Sequence, residues 1–109
     1  MDEILKAAQN LGDRIAESDR FMALRRAGEA AEDDDAAKDL LKKADAQSEK
    51  IAELERSLKP VEPADKEEMQ RLTDALHGNE KLGALARAQA DYLELMNKVN
   101  DAIRGRLER

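Results

Sequence analysis

Two stretches of the chain repeat apolar residues every seven positions, and no other feature restricts its fold so strongly. In the first, Ala37, Ala44, Ile51 and Leu58 form one row, with Leu40, Gln47 and Leu54 offset by three. In the second, Leu82, Gln89, Met96 and Ile103 are accompanied by Leu85, Tyr92 and Val99. A seven-residue repeat keeps one stripe of an α-helix facing a partner helix, whereas a strand needs alternation every second residue. The spacing predicts helices over about 36–58 and 80–107, roughly 35 and 42 Å long at 1.5 Å per residue.

Composition agrees with helices and disfavours a sheet. Val, Ile and Thr together number seven, while Ala, Glu, Lys, Leu and Arg supply 65 of 109 residues. The first group is what strands prefer; the second is what long helices are made of. Apolar residues make up 41% of the chain, but 19 of those 45 are alanine. Only 26 larger apolar side chains remain, a thin core for one copy. Lined up in stripes, they are better explained as half of an interface that a second copy completes.

Shorter signals fill in the other helices. Ile4, Ala8, Leu11 and Ile15 recur at steps of four, three and four, the stripe of a first helix. The stripe restarts at Phe21, Leu24, Ala27 (or Gly28) and Ala31, as one bent helix or as two; Ser18 is placed to cap a second helix, which favours a break there. Asp34 is placed to cap the third, with its acidic neighbours at the positive end of the helix dipole. Residues 59–64, containing Pro60 and Pro63, read as a linker. After it, Asp65 is expected to cap a short helix carrying Met69, Leu72 and Leu76. His77-Gly78 marks that helix's end, and Asn79 caps the last. The expected architecture is a single all-α domain of four to five helices, with long helices three and five as an antiparallel hairpin in a bundle.

The absences narrow function. With no Cys, neither a disulfide framework nor a thiolate metal or redox site is available. The acidic run Glu32–Asp35 lacks the spaced ligands, glycine turn and distal Glu of a calcium loop. His77 is the only histidine, the five glycines are scattered, and no Gly-rich phosphate loop is present. Catalytic, metal and cofactor-binding residues are therefore all read as none, and an enzyme is not expected. There is no apolar run long enough to span a membrane and no basic start leading into an apolar stretch. The expected location is the cytoplasm. The formal charge of −6 disfavours broad nucleic-acid binding. Lys6, Arg14, Arg20, Arg25 and Arg26 are locally basic but interleave with Glu3, Asp13, Glu17 and Asp19.

The candidate interface residues are those of the heptad rows: Gln47, Ile51, Leu54, Gln89, Tyr92, Met96, Val99 and Ile103. The two glutamines interrupt apolar rows. Either each hydrogen-bonds inside a helix–helix contact and fixes register, or each sits at the stripe's edge facing water. Spacing leaves both open.

The order of these signals resembles the YlbF/YmcA family of small bacterial helical proteins. The resemblance is carried by Leu11-x-x-x-Ile15-x-x-Ser18-x-x-Phe21 and by the acidic turn at Asp33–Asp35 followed by Ala37-x-x-Leu40-Leu41. Leu76-x-x-Asn79 then opens the final helix, and Ala88-x-x-x-Tyr92 continues to Val99 and Ile103. It implies an all-helical fold, self-association as a homodimer or higher homo-oligomer, and regulation through partner proteins rather than catalysis. Some members of the family join one another and RNase Y in mRNA processing, and some carry iron–sulfur clusters on cysteines. A chain with no Cys departs from those at the cluster ligands. The leading expectation is a non-catalytic regulatory or adaptor protein acting through helix–helix contacts. The alternative is an RNA-associated accessory factor of an RNase Y-type complex, using the N-terminal arginines.

Overall fold

The computed structural model describes residues 2–108 and contains five α-helices and no strand among them. They are α1 (Asp2–Ala16), α2 (Asp19–Glu32), α3 (Asp35–Arg56), α4 (Pro63–Gly78) and α5 (Glu80–Leu107). Three of the four breaks between helices are fixed by side chains that satisfy otherwise unpaired amides of the next helix's first turn. Ser18 Oγ accepts from the Phe21 amide at 3.2 Å and donates to the Ile15 carbonyl at 2.6 Å, so one hydroxyl closes α1 and opens α2. Asp34 accepts from the Ala37 amide at 2.9 Å, and Asn79 from the Leu82 amide at 3.0 Å. Gly78 ends α4 without a left-handed turn. The chain leaves that helix because Asn79 is extended, at φ −81° and ψ 122°.

The helices belong to two compact units, and α2 and α5 contribute to both. The first unit contains the residues up to Gly28 together with those from Leu85 onward. In it Phe21 meets Tyr92 with ring centroids 5.8 Å apart and planes tilted by 54°, an ordinary offset aromatic pair. Beside them the Arg20 guanidinium donates to the Asp91 carbonyl at 3.0 Å and lies 3.6 Å from Glu94. Glu94 also holds Lys98 at 3.1 Å. Lys98 first, and then Arg20, keep the Glu94 carboxyl below its usual range.

The second unit, Glu29–Ala84, is organised by a hairpin of α3 and α4. Length alone pointed to α5 as the hairpin partner of α3. The hairpin partner is α4, because a connector of only six residues, 57–62, turns the chain straight back along the helix it has just left. Ala44 and Leu72 are buried within this unit, along with Ala31, Ala37 and Leu82. Alanine dominates these sites. Its small side chain lets helix backbones approach closely while burying little apolar area per residue.

Asp65 does not cap α4. The N-cap position is Glu62, whose extended backbone makes no side-chain capping bond, and Pro63 occupies the first helical position. The helix thus starts inside the expected linker. Asp65 is the third helical residue and the only charged side chain that is buried among the described residues, 8% exposed. Lys50 Nζ reaches its carboxylate at 2.8 Å, and Gln47 Nε2 donates to its backbone carbonyl at 2.9 Å. Two residues of α3 thereby clasp the first turn of α4.

This clasp has a pH signature. The hydrogen bond and charge of Lys50, above all, hold the Asp65 carboxyl below its ordinary value. Ionised Asp65 therefore favours the folded hairpin at every pH above the unfolded-state value of about 3.9. That contribution is lost as pH falls through the lower folded value. Asp65→Asn is expected to melt at a lower temperature than the unmodified chain at pH 7, with the gap closing between about pH 5 and pH 3. Melting curves of both across this range make the check; a gap independent of pH contradicts the assignment.

Candidate protein-interaction surface

The first unit is where apolar side chains remain uncovered. No residue of α1 is buried. Its stripe of Ile4, Ala8 and Leu11 is exposed, Ile15 is half-buried, and Leu5 adds to the same helix; Ile4 is 69% exposed. On α5 the row Tyr92, Met96, Val99 and Ile103 passes from half-buried to exposed along the helix, and Leu107 beyond it is 79% exposed. Met22 and Leu93 are exposed as well. Seven of the nine exposed large apolar residues among those described, Ile4, Leu5, Leu11, Met22, Leu93, Ile103 and Leu107, fall in this one unit. Single exposed leucines are ordinary; an apolar stripe along a whole helix of which nothing is buried is not.

The heptad candidates divide between the two units. Gln47, Ile51 and Leu54 lie on α3 in the second unit, all half-buried, and Gln47 already spends its amide on the α4 backbone. Gln89, Tyr92, Met96, Val99 and Ile103 lie on α5 in the first; Gln89 is exposed, as its neighbours on the row are not until Ile103. Of the two readings of the glutamines, Gln47 follows the first within its own chain and Gln89 faces solvent. The uncovered positions that periodicity did not single out are Leu5, Met22, Leu93 and Leu107. Leu5 and Leu93 fall off the regular rows, so spacing carried no signal for them. Ile4 and Leu11 were on a stripe, but a stripe does not say whether its cover comes from the same chain.

The cationic residues of α1 and α2 form a mixed surface. Arg20 is engaged by Glu94 and the Asp91 carbonyl, and Arg25 also has an interaction partner. His77 sits exposed on the last turn of α4. Asp34 serves as a helix cap. Among the described residues no group of three or more His, Asp or Glu side chains is placed to hold a metal ion. Among those residues, too, no helix is long and apolar enough to cross a membrane.

The sequence pattern of the family described as "Control of competence regulator ComK, YlbF/YmcA" matches residues 4–108. The chain belongs to the YlbF/YmcA family. A UPF0342 protein of Lactobacillus helveticus is 26% identical over 102 residues, covering 94% of this chain and 88% of the relative. Two solved structures share the fold of this YlbF/YmcA member. One chain of the crystal structure of Bacillus subtilis RicA in complex with RicF superposes with a TM-score of 0.81 at 19% identity, over 93% of this chain and 90% of that one. A protein of unknown function (DUF964) from Bacillus stearothermophilus gives 0.74 at 22% identity, over 97% and 93% of the two chains. At these identities the likeness establishes the helical fold of the family.

Proposed function

We propose that this YlbF/YmcA member is a non-catalytic adaptor that works through helix–helix contacts, first with a second copy of itself and through that assembly with partner proteins. The observation that carries this reading is the first unit's uncovered apolar face, above all α1, a 15-residue amphipathic helix with no buried residue. Covering such a face in a homotypic contact removes apolar area from water in both copies at once. The same fold occurs in the complex of RicA with RicF, so a chain of this architecture has been seen bound to another protein. The engagement of Arg20 by acidic and carbonyl groups in its own unit leaves the RNA-associated reading the weaker one, and the cytoplasm is the location this role fits.

Mass by light scattering tests the proposal. A monomer weighs 12.2 kDa, and the expected result is a particle of at least twice that mass. Titration with single-stranded RNA at low salt separates the alternative: the adaptor reading expects no binding, whereas an RNA factor binds and weakens several-fold as salt is added. A monomer that binds RNA overturns the proposal.

A further inference from the structure

The end of the α3–α4 hairpin carries a second feature that the first unit's face does not explain. Helix α3 closes with the Leu58 amide donating to the Glu55 carbonyl at 3.1 Å and the Lys59 amide to the Leu54 carbonyl at 2.8 Å. This double closure needs a left-handed residue between its two bonds, a place normally taken by glycine. Here it is Leu58, at φ 57°, the only non-glycine residue with positive φ among the described residues. A left-handed conformation is disfavoured for a side chain with a Cβ, and this leucine gains no burial in return, since it is 93% exposed. The fold of one copy therefore gives no reason for a leucine there.

Next to it lies a groove of about 250 Å³ with Ile51, Val61 and Met69 as its apolar lining and Glu55, Lys66 and Gln70 among the rim residues. It is smaller than the cavities that hold drug-sized ligands, roughly 300–1,000 Å³, and of a size to take an aliphatic side chain. Around knob and groove stand two acids, Glu55 and Glu62, and two bases, Lys59 and Lys66, none in an ion pair among the described residues. A two-fold contact demands that each patch hold both halves of every pairing. The hairpin end meets that demand with a knob, a hole and balanced unpaired charges.

We propose that the α3–α4 hairpin end is a second homotypic contact, in which Leu58 of each copy enters the Ile51–Val61–Met69 groove of the other, with Glu55 facing Lys66 across the two-fold axis. The patch is far smaller than the roughly 800 Å² per partner of a stable interface. The contact is therefore weak on its own and gains occupancy where several hairpins are held close together. It does not depend on the first unit's face, and its test reads the hairpin end alone.

Because the chain has no cysteine, single engineered thiols report proximity without background. Ser57→Cys stands beside Leu58, and Ala46→Cys stands on the exposed side of α3 as the control. Under mild oxidation Ser57→Cys is expected to form disulfide dimers about tenfold faster than Ala46→Cys. Adding Leu58→Gly or Met69→Glu should remove that excess. Leu58→Gly should at the same time raise the melting temperature by about 5 °C, because glycine adopts the left-handed turn without strain. Loss of contact with gain of stability is not what a merely misfolded variant shows. Equal rates at the two cysteines, or an excess that survives Leu58→Gly, overturns the proposal.

Discussion

Replacing Leu72 by alanine is expected to remove about 3 kcal/mol of folding stability, a large share of the 5–15 kcal/mol typical of a domain. Leu72 is 4% exposed, and it and Leu82 are the only apolar residues larger than alanine that are buried among the described residues. The other buried apolar sites among those residues are Ala31, Ala37, Ala44 and Ala88. A core with so few large side chains has little with which to collapse around a cavity, so the loss falls in the usual range for a buried leucine. Leu107→Ala, at a position 79% exposed, serves as the control and is expected to change the stability of a single copy by less than about 0.5 kcal/mol. Urea unfolding of both variants at low protein concentration reads the difference. A loss below about 1 kcal/mol at Leu72 would mean that the hairpin core does not hold the second unit together.

How much of this was legible beforehand follows from which forces act locally. Ser18, Asp34 and Asn79 were readable as caps because a capping bond spans three residues. The start and end of α5 were readable for a similar reason: its heptad run and flanking cap are local signals. Asp65 was misplaced because two signals compete there. A proline at the first helical position shifts the start of α4 three residues earlier than an aspartate cap would, and the carboxylate is then free for Lys50, fifteen residues away and invisible to local reasoning.

The heptad rows were right as helices and uneven as seams. The row Ala37, Ala44, Ile51, Leu58 runs from buried through half-buried to fully exposed, since the helix stops at Arg56 and Leu58 turns left-handed. Choosing α5 as the partner of α3 failed because length says nothing about adjacency, whereas a six-residue connector does. The α1 stripe was visible in full, but periodicity records only that a face wants cover. Whether the cover belongs to the same copy is a tertiary fact, and here the chain itself covers only Ile15 of the stripe, and that by half.

The second large effect concerns that face. Ile4→Glu together with Leu11→Glu is expected to weaken self-association by at least about 100-fold, since each copy forfeits the burial of two large aliphatic side chains, each contributing on the order of 1.5 kcal/mol or more. The fold of a single copy should survive the change. Both positions are exposed, no residue of α1 is buried, and a glutamate near the start of α1 suits the helix dipole. Helix content by circular dichroism should stay close to that of the unmodified chain while the mass falls to 12.2 kDa.

The most direct measurement of the central claim is the melting temperature over a hundredfold range of protein concentration, for the unmodified chain and for Ile4→Glu with Leu11→Glu. If copies cover one another through the first unit's apolar face, association stabilises the folded state by mass action. The unmodified chain should then melt higher by on the order of 5 °C for each tenfold rise in concentration, and the double variant at one temperature throughout. A melting temperature of the unmodified chain that does not move with concentration, together with a monomeric mass, would contradict the account.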